Sequence, residues 1–452
     1  MDLSRLNWRL VMIIACGAML IQQAFSYVVQ VVMPILADSL ADEFGISRGW
    51  LGLFLALQSS ASIVAAIGCG GFILRYGPVR MSQVALLLMG VSLLLIASGQ
   101  LWLYPLAAIC LGAGSVSTPA SSHILARVCP PHLAPLIFSI KQTGVPVGAL
   151  IAGLLLPFLL GLVFYSAALG ETIRPGHFGA AFIVAVIVAG VSISLQPIRS
   201  HFDQDRDPAT KISFGDLPAT IRFVLSDPAL RDISFAAFAY GGLQAIFAGF
   251  FVLYMIDGLG YSEVEAGSVF AISSFSAIWA RILWGWLAGG RVSPRLLLAM
   301  IGAVAASSSI AIAAFDRDWG LVEITIAAIL FNMSAISWHG LLLAEIARLA
   351  PKDNVGGVTG GVLSFTSISM MIYPAIYGGI LAATGSYSLG FVLGAIPAAM
   401  AFFIFLRPSV QGSWLAVAGD AIAAGLRLSA LARAAVVIGA GVGIGLLWDA
   451  AM

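Results

Sequence analysis

The chain has 452 residues, of which 60% are hydrophobic and only 10% are charged. Because a soluble domain carries about 25% charged residues, this composition and a mean hydropathy of +1.02 exclude an ordinary soluble enzyme, a disordered chain and a disulfide scaffold. The formal net charge of +1 gives no field that would attract nucleic acid. The composition therefore predicts an integral membrane protein whose surroundings are the lipid bilayer.

The N-terminus begins like a secretory signal, with Arg5 and Arg9 before an apolar stretch. The stretch continues past Cys16 to about Leu36, which is longer than the apolar region of a signal peptide, so it predicts the first transmembrane helix. The cysteines lie in apolar segments or at a predicted inner boundary and do not indicate exported disulfides.

Twelve segments provide the roughly 20 apolar residues that a transmembrane helix needs. Six precede a polar stretch and six follow it, so the sequence predicts an all-α fold with a six-helix bundle at 1–198, a central loop at 199–232, a second bundle at 233–407 and a tail at 408–452. The predicted spans are 10–36, 48–72, 81–99, 102–126, 135–161, 179–197, 233–256, 264–288, 296–315, 320–346, 357–382 and 386–406.

Basic residues concentrate in alternate loops. Fifteen lie on the side of the N-terminus and the central loop, whereas only Arg48, Arg174 and Arg317 lie on the other side. Positive charge is enriched in cytoplasmic loops, so the bias predicts a multi-pass protein of the cell (inner) membrane with a cytoplasmic N-terminus.

Two sequence patterns recur in the second half. Residues 126–130 (Ala-Arg-Val-Cys-Pro) reappear as 347–351 (Ala-Arg-Leu-Ala-Pro), and 70–80 is echoed by 285–295. Duplicated halves place a substrate site near the middle of the membrane, at the interface between the repeats.

The loop signature after the second span contains Gly70, Arg75, Gly77 and Arg80, and its partner begins at Gly285. On these residues and the topology, the chain resembles the major facilitator superfamily over about residues 8–407. The resemblance implies twelve transmembrane helices in two pseudo-symmetric bundles that rock around a central cavity. It also implies that Arg75, Gly77 and Arg80 act in gating or coupling.

The chain departs from the family pattern at several positions. Leu74 and Gly289 stand where the family usually has an acidic loop residue, and Ala108 stands where many proton antiporters carry an arginine. A glycine-rich run, Gly144 to Gly153, is similar to the antiporter motif of the fifth span but differs in order.

Several kinds of chemistry have no sequence support. The three lysines lack the neighbours of a phosphate-binding loop, and no His-Glu-x-x-His or Gly-x-Ser-x-Gly motif occurs. The sequence therefore predicts no catalytic residue, metal, cofactor or ATP, and it favours secondary transport over an enzyme.

Two cations lie within predicted spans, where charge is costly and usually functional. Lys141 and Arg281 lie at comparable depth in spans five and eight, which the family fold places on opposite sides of the cavity. Together they predict a site for an anion, with a bidentate contact from Arg281. The alternatives are a snorkelling Lys141 and an Arg281 that caps carbonyl groups at the gate.

The run Arg281 to Trp286 is similar to the span-eight segment of oxalate and monocarboxylate transporters. This resemblance implies that Arg281 binds a substrate carboxylate. Lys141 has no direct match in those families.

Polar and aromatic residues line two further helix faces. Span seven presents Tyr240, Gln244 and Phe247 on one face, and span one presents Gln23, Tyr27 and Gln30. We expect both faces to line the cavity, with helix packing as the alternative.

Span ten contributes Asn332 and His339 to the predicted substrate site. His339 is a candidate proton carrier or a structural residue. Glu345 is expected to act in gating or as a counter-ion of Arg281 or Arg348. In span four, His123 is a weaker candidate.

The tail contains an apolar run from Ala434 to Trp448, which is short for a span. It predicts an interfacial helix or a partial extra crossing.

These features predict a secondary transporter that moves a small organic anion, in particular a carboxylate, by alternating access with proton symport or anion exchange. Protons or a counter-anion would be the second partner. The alternatives are an efflux pump for drugs or hydrophobic metabolites and a non-transporting membrane receptor or scaffold.

Overall fold

The computed structural model describes residues 7–46, 50–166, 171–173, 176–212, 216–316 and 318–407. The predicted tail at 408–452, with its interfacial helix or partial span, lies outside these residues. Within them the helices are α1 (Trp8–Phe44), α2 (Trp50–Tyr76), α3 (Pro78–Ala97), α4 (Tyr104–Ala113), α5 (Ser117–Val128), α6 (Ala134–Gln142), α7 (Gly144–Leu160), α8 (Gly176–Ser194), α9 (Gln196–Phe202), α10 (Asp216–Ser226), α11 (Pro228–Leu253), α12 (Glu263–Ala288), α13 (Pro294–Ala313), α14 (Leu321–Phe331), α15 (His339–Leu349), α16 (Val355–Thr384) and α17 (Tyr387–Leu406).

Short elements complete the described backbone. Strands β1 (Phe164–Ser166) and β2 (Glu171–Ile173) pair antiparallel, with Tyr165 opposite Thr172. The 3-10 segments are Leu101–Leu103 and Gly114–Val116, and the π-helical segments are Tyr254–Gly258 and Asn332–Ile336.

Twelve helical segments of the described chain are long and apolar enough to cross a membrane, which confirms the predicted number. Three of these spans are interrupted. Span four changes to 3-10 geometry at Gly114–Val116, span five breaks at Thr143, and span ten contains the π segment Asn332–Ile336. Such breaks often mark functional positions.

Three helices begin at a residue whose side chain caps the first turn. Ser262 and Glu265 form a reciprocal capping box at the start of α12. Asp227 accepts from the backbone at the start of α11, where Pro228 is the first helical residue. Ser293 does the same before Pro294 of α13. The polar loops thus set the helix ends, while apolar length sets the spans.

The chain divides into two compact units. The first contains Met1–Cys129, Lys141–Ile221 and Ala350–Ser364, and the second contains Pro130–Ile140, Arg222–Leu349 and Phe365–Met452. The start of span five thus belongs to the second unit and the start of α16 to the first, and the bundle boundaries at 198 and 233 stay a prediction.

Each unit has the same internal pairing of helices. In the first unit α3 packs on α8 and α2 packs on α4. In the second unit α13 packs on α17 and α12 packs on α14. These are spans three with six and two with four, then spans nine with twelve and eight with ten, as expected of duplicated halves.

Candidate functional site

Lys141 lies in the last turn of α6, directly before the break in span five. Its side chain is only 1% exposed. The ammonium nitrogen donates to Gln23 Oε1 at 2.6 Å and to Gln142 Oε1 at 3.2 Å. A helix C-terminus favours a positive charge, but no acidic side chain of the described chain forms an ion pair with Lys141. The lysine is therefore solvated by neutral amide groups.

Gln23 connects three spans of the first unit. Its Oε1 atom also accepts a hydrogen bond from Thr118 Oγ1 at 3.0 Å. One amide oxygen of span one thus accepts from span four and from Lys141 of span five. Sequence reasoning predicted Gln23 and Lys141 but gave no individual role to Thr118 and Gln142, because hydropathy does not reveal which neighbour a side chain meets.

Two glycines explain how span five approaches span one so closely. A Cβ atom at Gly144 would lie 2.7 Å from the carbonyl oxygen of Leu20, and one at Gly148 would lie 2.3 Å from that of Ala24. Only glycine fits at such distances, as in the small-residue interfaces of membrane helices. The glycine-rich run therefore positions Lys141 against Gln23.

The other two predicted residues of span one follow Gln23 along the same helix face. Tyr27 is half-buried, and a Cβ added at Gly148 would lie 3.0 Å from the Cβ of Tyr27. Gln30 is half-buried one turn further on. Both therefore lie within two helical turns of Gln23 on span one, and their contact with a substrate stays a prediction.

Arg281 lies in α12 of the second unit and is only 2% exposed. Its NH2 group donates to the carbonyl oxygen of Ile336 at 3.0 Å. One turn away, Trp284 Nε1 donates to the carbonyl oxygen of Met333 at 2.7 Å. Both carbonyl groups belong to the π segment of span ten, so these hydrogen bonds connect α12 to the interruption and hold the guanidinium beside it.

Two buried acceptors accompany Arg281 in the second unit. Asn332 is fully buried and donates to the carbonyl oxygen of Ala328 at 2.9 Å. Its Oδ1 atom, like Oε1 of Gln244, accepts no hydrogen bond from the described residues. Unsatisfied buried acceptors are costly, so both atoms are suited to a hydrogen-bond donor on a ligand.

The aromatic residues predicted for span seven contact other protein groups. The hydroxyl of Tyr240 donates to the carbonyl oxygen of Leu298 at 2.7 Å. Phe247 is fully buried and stacks on Phe331 with ring centroids 4.9 Å apart. These contacts hold span seven against its neighbours, while substrate contact by Tyr240 and Phe247 stays a prediction.

His339 and Glu345 lie on α15. The imidazole of His339 stacks on Trp338 with centroids 3.8 Å apart. Glu345 accepts from Arg348 at 2.8 Å and 2.6 Å, in a bidentate ion pair. Arg348, one of the two predicted counter-ions, is therefore the observed partner of Glu345.

An acidic residue from outside the loop signature occupies the turn between α2 and α3. Asp203 accepts from the backbone N–H groups of Val79 at 2.8 Å and Arg80 at 3.2 Å and from Arg199 Nε at 3.3 Å. Gly77, with φ of 91°, leaves the space, because a Cβ there would lie 2.3 Å from the Asp203 carboxyl carbon. Burial raises the pKa of Asp203 despite these donors.

Asp205 is a second acidic residue after span six that contacts the end of the first unit. Its carboxylate lies 2.6 Å from Arg127 NH1 and 3.1 Å from His123 Nε2. Burial raises the pKa of Asp205, but the hydrogen bond to His123 and the charge of Arg127 outweigh burial, so the pKa lies below its usual value. His123, a weak candidate from the sequence, thus belongs to an ion-pair cluster.

The segment 203–210 lies across the ends of α2 and α3. Arg75 NH1 donates to the carbonyl oxygen of Thr210 at 3.2 Å, and the Asp207 N–H donates to the carbonyl oxygen of Leu74 at 2.9 Å. We call this face, formed by Arg75, Arg80 and Arg127, the basic end of the first unit. Sequence reasoning missed Asp203 and Asp205, although their alternation with Asp207 after span six was a visible signal.

The curated proteins to which this chain is similar are transporters by name. The probable nitrate/nitrite transporter NarK2 of Mycobacterium tuberculosis is 26% identical over 203 residues, which cover 44% of this chain and 48% of NarK2. The hexuronate transporter of Bacillus subtilis is 25% identical over 304 residues, covering 62% and 67%. Human monocarboxylate transporter 11 is 27% identical over 207 residues, covering 42% and 43%. The chain thus matches about half the length of NarK2.

Solved structures share the fold. The fucose:proton symporter FucP of E. coli aligns with a TM-score of 0.67 and 15% identity, covering 88% of this chain and 98% of FucP. The human organic anion transporter MFSD10 aligns with a TM-score of 0.65 and 14% identity, covering 86% and 98%. The family model of the Major Facilitator Superfamily matches residues 14–344, more than half of the chain. This multi-pass membrane protein therefore belongs to the Major Facilitator Superfamily.

Proposed function

We propose that the protein is a secondary transporter of a small organic anion, with a carboxylate as the preferred substrate. The observation that carries the proposal is the buried ammonium of Lys141, whose hydrogen-bond acceptors Gln23 and Gln142 are both uncharged. A cation inside a span costs at least ~2.5 kcal/mol. A bound anion would offset this cost, whereas a cationic substrate would increase it.

The second unit supplies complementary groups for the same class of ligand. Arg281 provides a guanidinium, and Asn332 and Gln244 provide acceptors for a hydroxyl group. We propose that Arg281 binds the carboxylate group of a hydroxylated or simple carboxylate, that Asn332 and Gln244 orient its hydroxyl group, and that Lys141 of the first unit is a second cation able to bind an anion. Tyr240 and Phe247 would support the site through their packing contacts.

The relatives support this chemistry at a coarse level. Nitrate, nitrite, hexuronates and monocarboxylates, which appear in the relatives' names, are all small anions. Binding of such an anion would neutralise the buried charge and favour closure of the site, as alternating access requires. A proton or a counter-anion would then provide the driving force, with His339 as the candidate proton carrier.

The direct test is uptake by proteoliposomes of radiolabelled nitrate, glucuronate and lactate. We expect saturable uptake of at least one carboxylate. We expect Lys141→Met and Arg281→Met each to reduce kcat/KM by about tenfold or more, because each removes a charged hydrogen bond worth about 1.5–3 kcal/mol.

Lys211→Met is the matched control, because Lys211 is exposed and lies in the segment that follows α9. It should transport like the wild type. Unchanged uptake in both Lys141→Met and Arg281→Met would overturn the anion site. Transport of hydrophobic cations alone would favour the efflux alternative, and no transport of any compound by folded protein would favour the receptor or scaffold.

We also propose that the basic end of the first unit faces the cytoplasm, on the basis of the fifteen-to-three distribution of basic residues. A fluorescent-protein fusion after Arg407 should fluoresce, and an alkaline-phosphatase fusion there should be inactive. The reverse pair of results would invert the orientation.

A further inference from the structure

An apolar groove runs along the first unit between α2, α3 and α4. Its volume is about 540 Å³, within the range of ligand-binding cavities. Cys69, Met81 and Val116 belong to the buried cluster beneath it. The rim residues Phe72 and Tyr76 are 41% and 44% exposed. The groove therefore opens to the outside of the protein at large apolar side chains.

The groove has the length of one bilayer leaflet. Its lining extends along α2 from Ala65 to Tyr76, about 16 Å at the rise of an α-helix, and along α3 from Arg80 to Leu88, about 12 Å. The hydrocarbon core of a bilayer is about 30 Å thick, so one leaflet provides about 15 Å. An extended hydrocarbon chain of one leaflet thus matches the groove.

The end of the groove at the start of α3 is positively charged. Arg80 lines the groove there and its side chain is exposed. Asp203 contacts Arg80 only through the backbone N–H of that residue, and within the described part of the chain no carboxylate pairs with the Arg80 guanidinium. The Asp203 charge is instead engaged by two backbone N–H groups and Arg199.

We propose that this groove binds an anionic phospholipid, with one acyl chain between α2 and α3 and the phosphate on Arg80. Basic pockets between membrane helices are suited to anionic headgroups, and an apolar trough one leaflet deep is suited to the chain beneath them. None of the groove residues belongs to the Lys141 cluster, so the proposed lipid site does not depend on which substrate is transported.

Native mass spectrometry of the purified protein, incubated with phosphatidylglycerol or phosphatidylcholine of identical acyl chains, tests the proposal. The wild type should retain phosphatidylglycerol about fivefold more than phosphatidylcholine, because the choline group of phosphatidylcholine cancels the negative charge of its phosphate and places a second cation beside Arg80. Arg80→Gln should bring the two lipids to near-equal retention. Val84→Trp, which fills the groove, should reduce retention of both lipids at least tenfold.

Matched controls separate the groove from the general surface. Leu87→Trp changes an exposed residue of the same helix that does not line the groove, and Arg291→Gln removes an exposed arginine of the second unit. Both should bind lipid like the wild type. If Val84→Trp does not fold, Leu88→Trp replaces it.

Three results would overturn the proposal. These are wild-type retention in the folded groove-filling variant, an unchanged preference for phosphatidylglycerol in Arg80→Gln, and equal loss of lipid in the controls. Retention of phosphatidylcholine equal to that of phosphatidylglycerol in the wild type would show an apolar groove without headgroup selection and would also reject the proposed ligand.

Discussion

The ammonium nitrogen of Lys141 and the amide oxygen of Gln23 are 2.6 Å apart, in a buried contact between spans five and one. An amide oxygen stabilises the cation without neutralising it. The residue type at position 23 therefore controls whether the site carries a net positive charge.

Gln23→Glu should abolish this net charge by forming a buried ion pair with Lys141. We expect KM for the anion to rise about tenfold or more, since a charged hydrogen bond contributes about 1.5–3 kcal/mol. Gln23→Met, which keeps the length but leaves Lys141 charged, should raise KM less. Uptake kinetics in proteoliposomes provide the measurement, and equal effects of the two variants would contradict the proposed role of charge.

Gly148→Ala should destabilise the first unit. The added methyl group would lie 2.3 Å from the carbonyl oxygen of Ala24, so α7 would have to move away from α1. Overpacking of this kind costs about 1–3 kcal/mol. Thermal unfolding in detergent should show a lower midpoint.

The matched control for this substitution is Gly153→Ala in the same helix, where a Cβ meets no atom within 4 Å. Its midpoint should stay equal or rise, because alanine is the better helix former by about 0.5–1 kcal/mol. Similar losses in both variants would indicate that close packing at Gly148 is unimportant.

Asp205 should stabilise the protein at neutral pH and lose this effect in acid. Its pKa is lowered in the folded state, so the folded protein binds the proton less tightly than the unfolded chain, whose aspartate pKa is about 3.9. The contribution is present above that value and disappears as the pH falls through the folded pKa. Asp205→Asn should therefore lower the unfolding midpoint at pH 7 and show a weaker decline toward pH 3.

The pKa of Asp203 is shifted in the opposite direction to that of Asp205, so its substitution should have the opposite effect on the pH dependence of stability. Its pKa is raised in the folded state, so its contribution to stability decreases as the pH rises through that pKa. Asp203→Asn should leave Asp205 as the dominant acid and make the loss of stability in acid steeper than in the wild type. Parallel pH profiles for the two variants would contradict these opposite shifts.

His339→Asn should separate proton coupling from substrate binding. If His339 carries the proton, the variant loses the stimulation of uptake by an inward proton gradient but retains exchange of labelled for unlabelled substrate. Both activities can be measured in the same proteoliposomes. Full stimulation by the gradient in the variant would exclude His339 as the carrier and favour exchange with a counter-anion.

Hydropathy was sufficient to predict the architecture. Apolar segments of about 20 residues are long-range features of composition, so the twelve spans and the polar interval after span six could be identified from the sequence. The breaks could not. Thr143 and the π segment Asn332–Ile336 lie within apolar runs whose hydropathy does not distinguish a continuous helix from an interrupted one.

The sequence indicated most residues of the candidate site, but only some of the contacts that these residues make with each other. Glu345 and Arg348 are three residues apart on a helix, so their pairing follows from local geometry. Asp205 and His123 are 82 residues apart, so their contact depends on the tertiary arrangement of the spans between them and not on local geometry. The hydrogen bonds of Gln142 to Lys141 and of Thr118 to Gln23 were likewise not predicted, because the second of them depends on how the helices approach each other in the folded protein.

The acidic residues that complete the basic end of the first unit lie after span six in the chain. During synthesis, Arg127 and the start of α3 are therefore made more than 70 residues before Asp203 and Asp205. Until then the N-terminal amides of α3 and the Arg127–His123 pair lack the carboxylates that they bind in the folded protein. The contacts of the basic end are thus completed only after the segment that follows span six has been made, so a nascent chain that ends before Asp203 contains the basic groups of this end without their acidic partners.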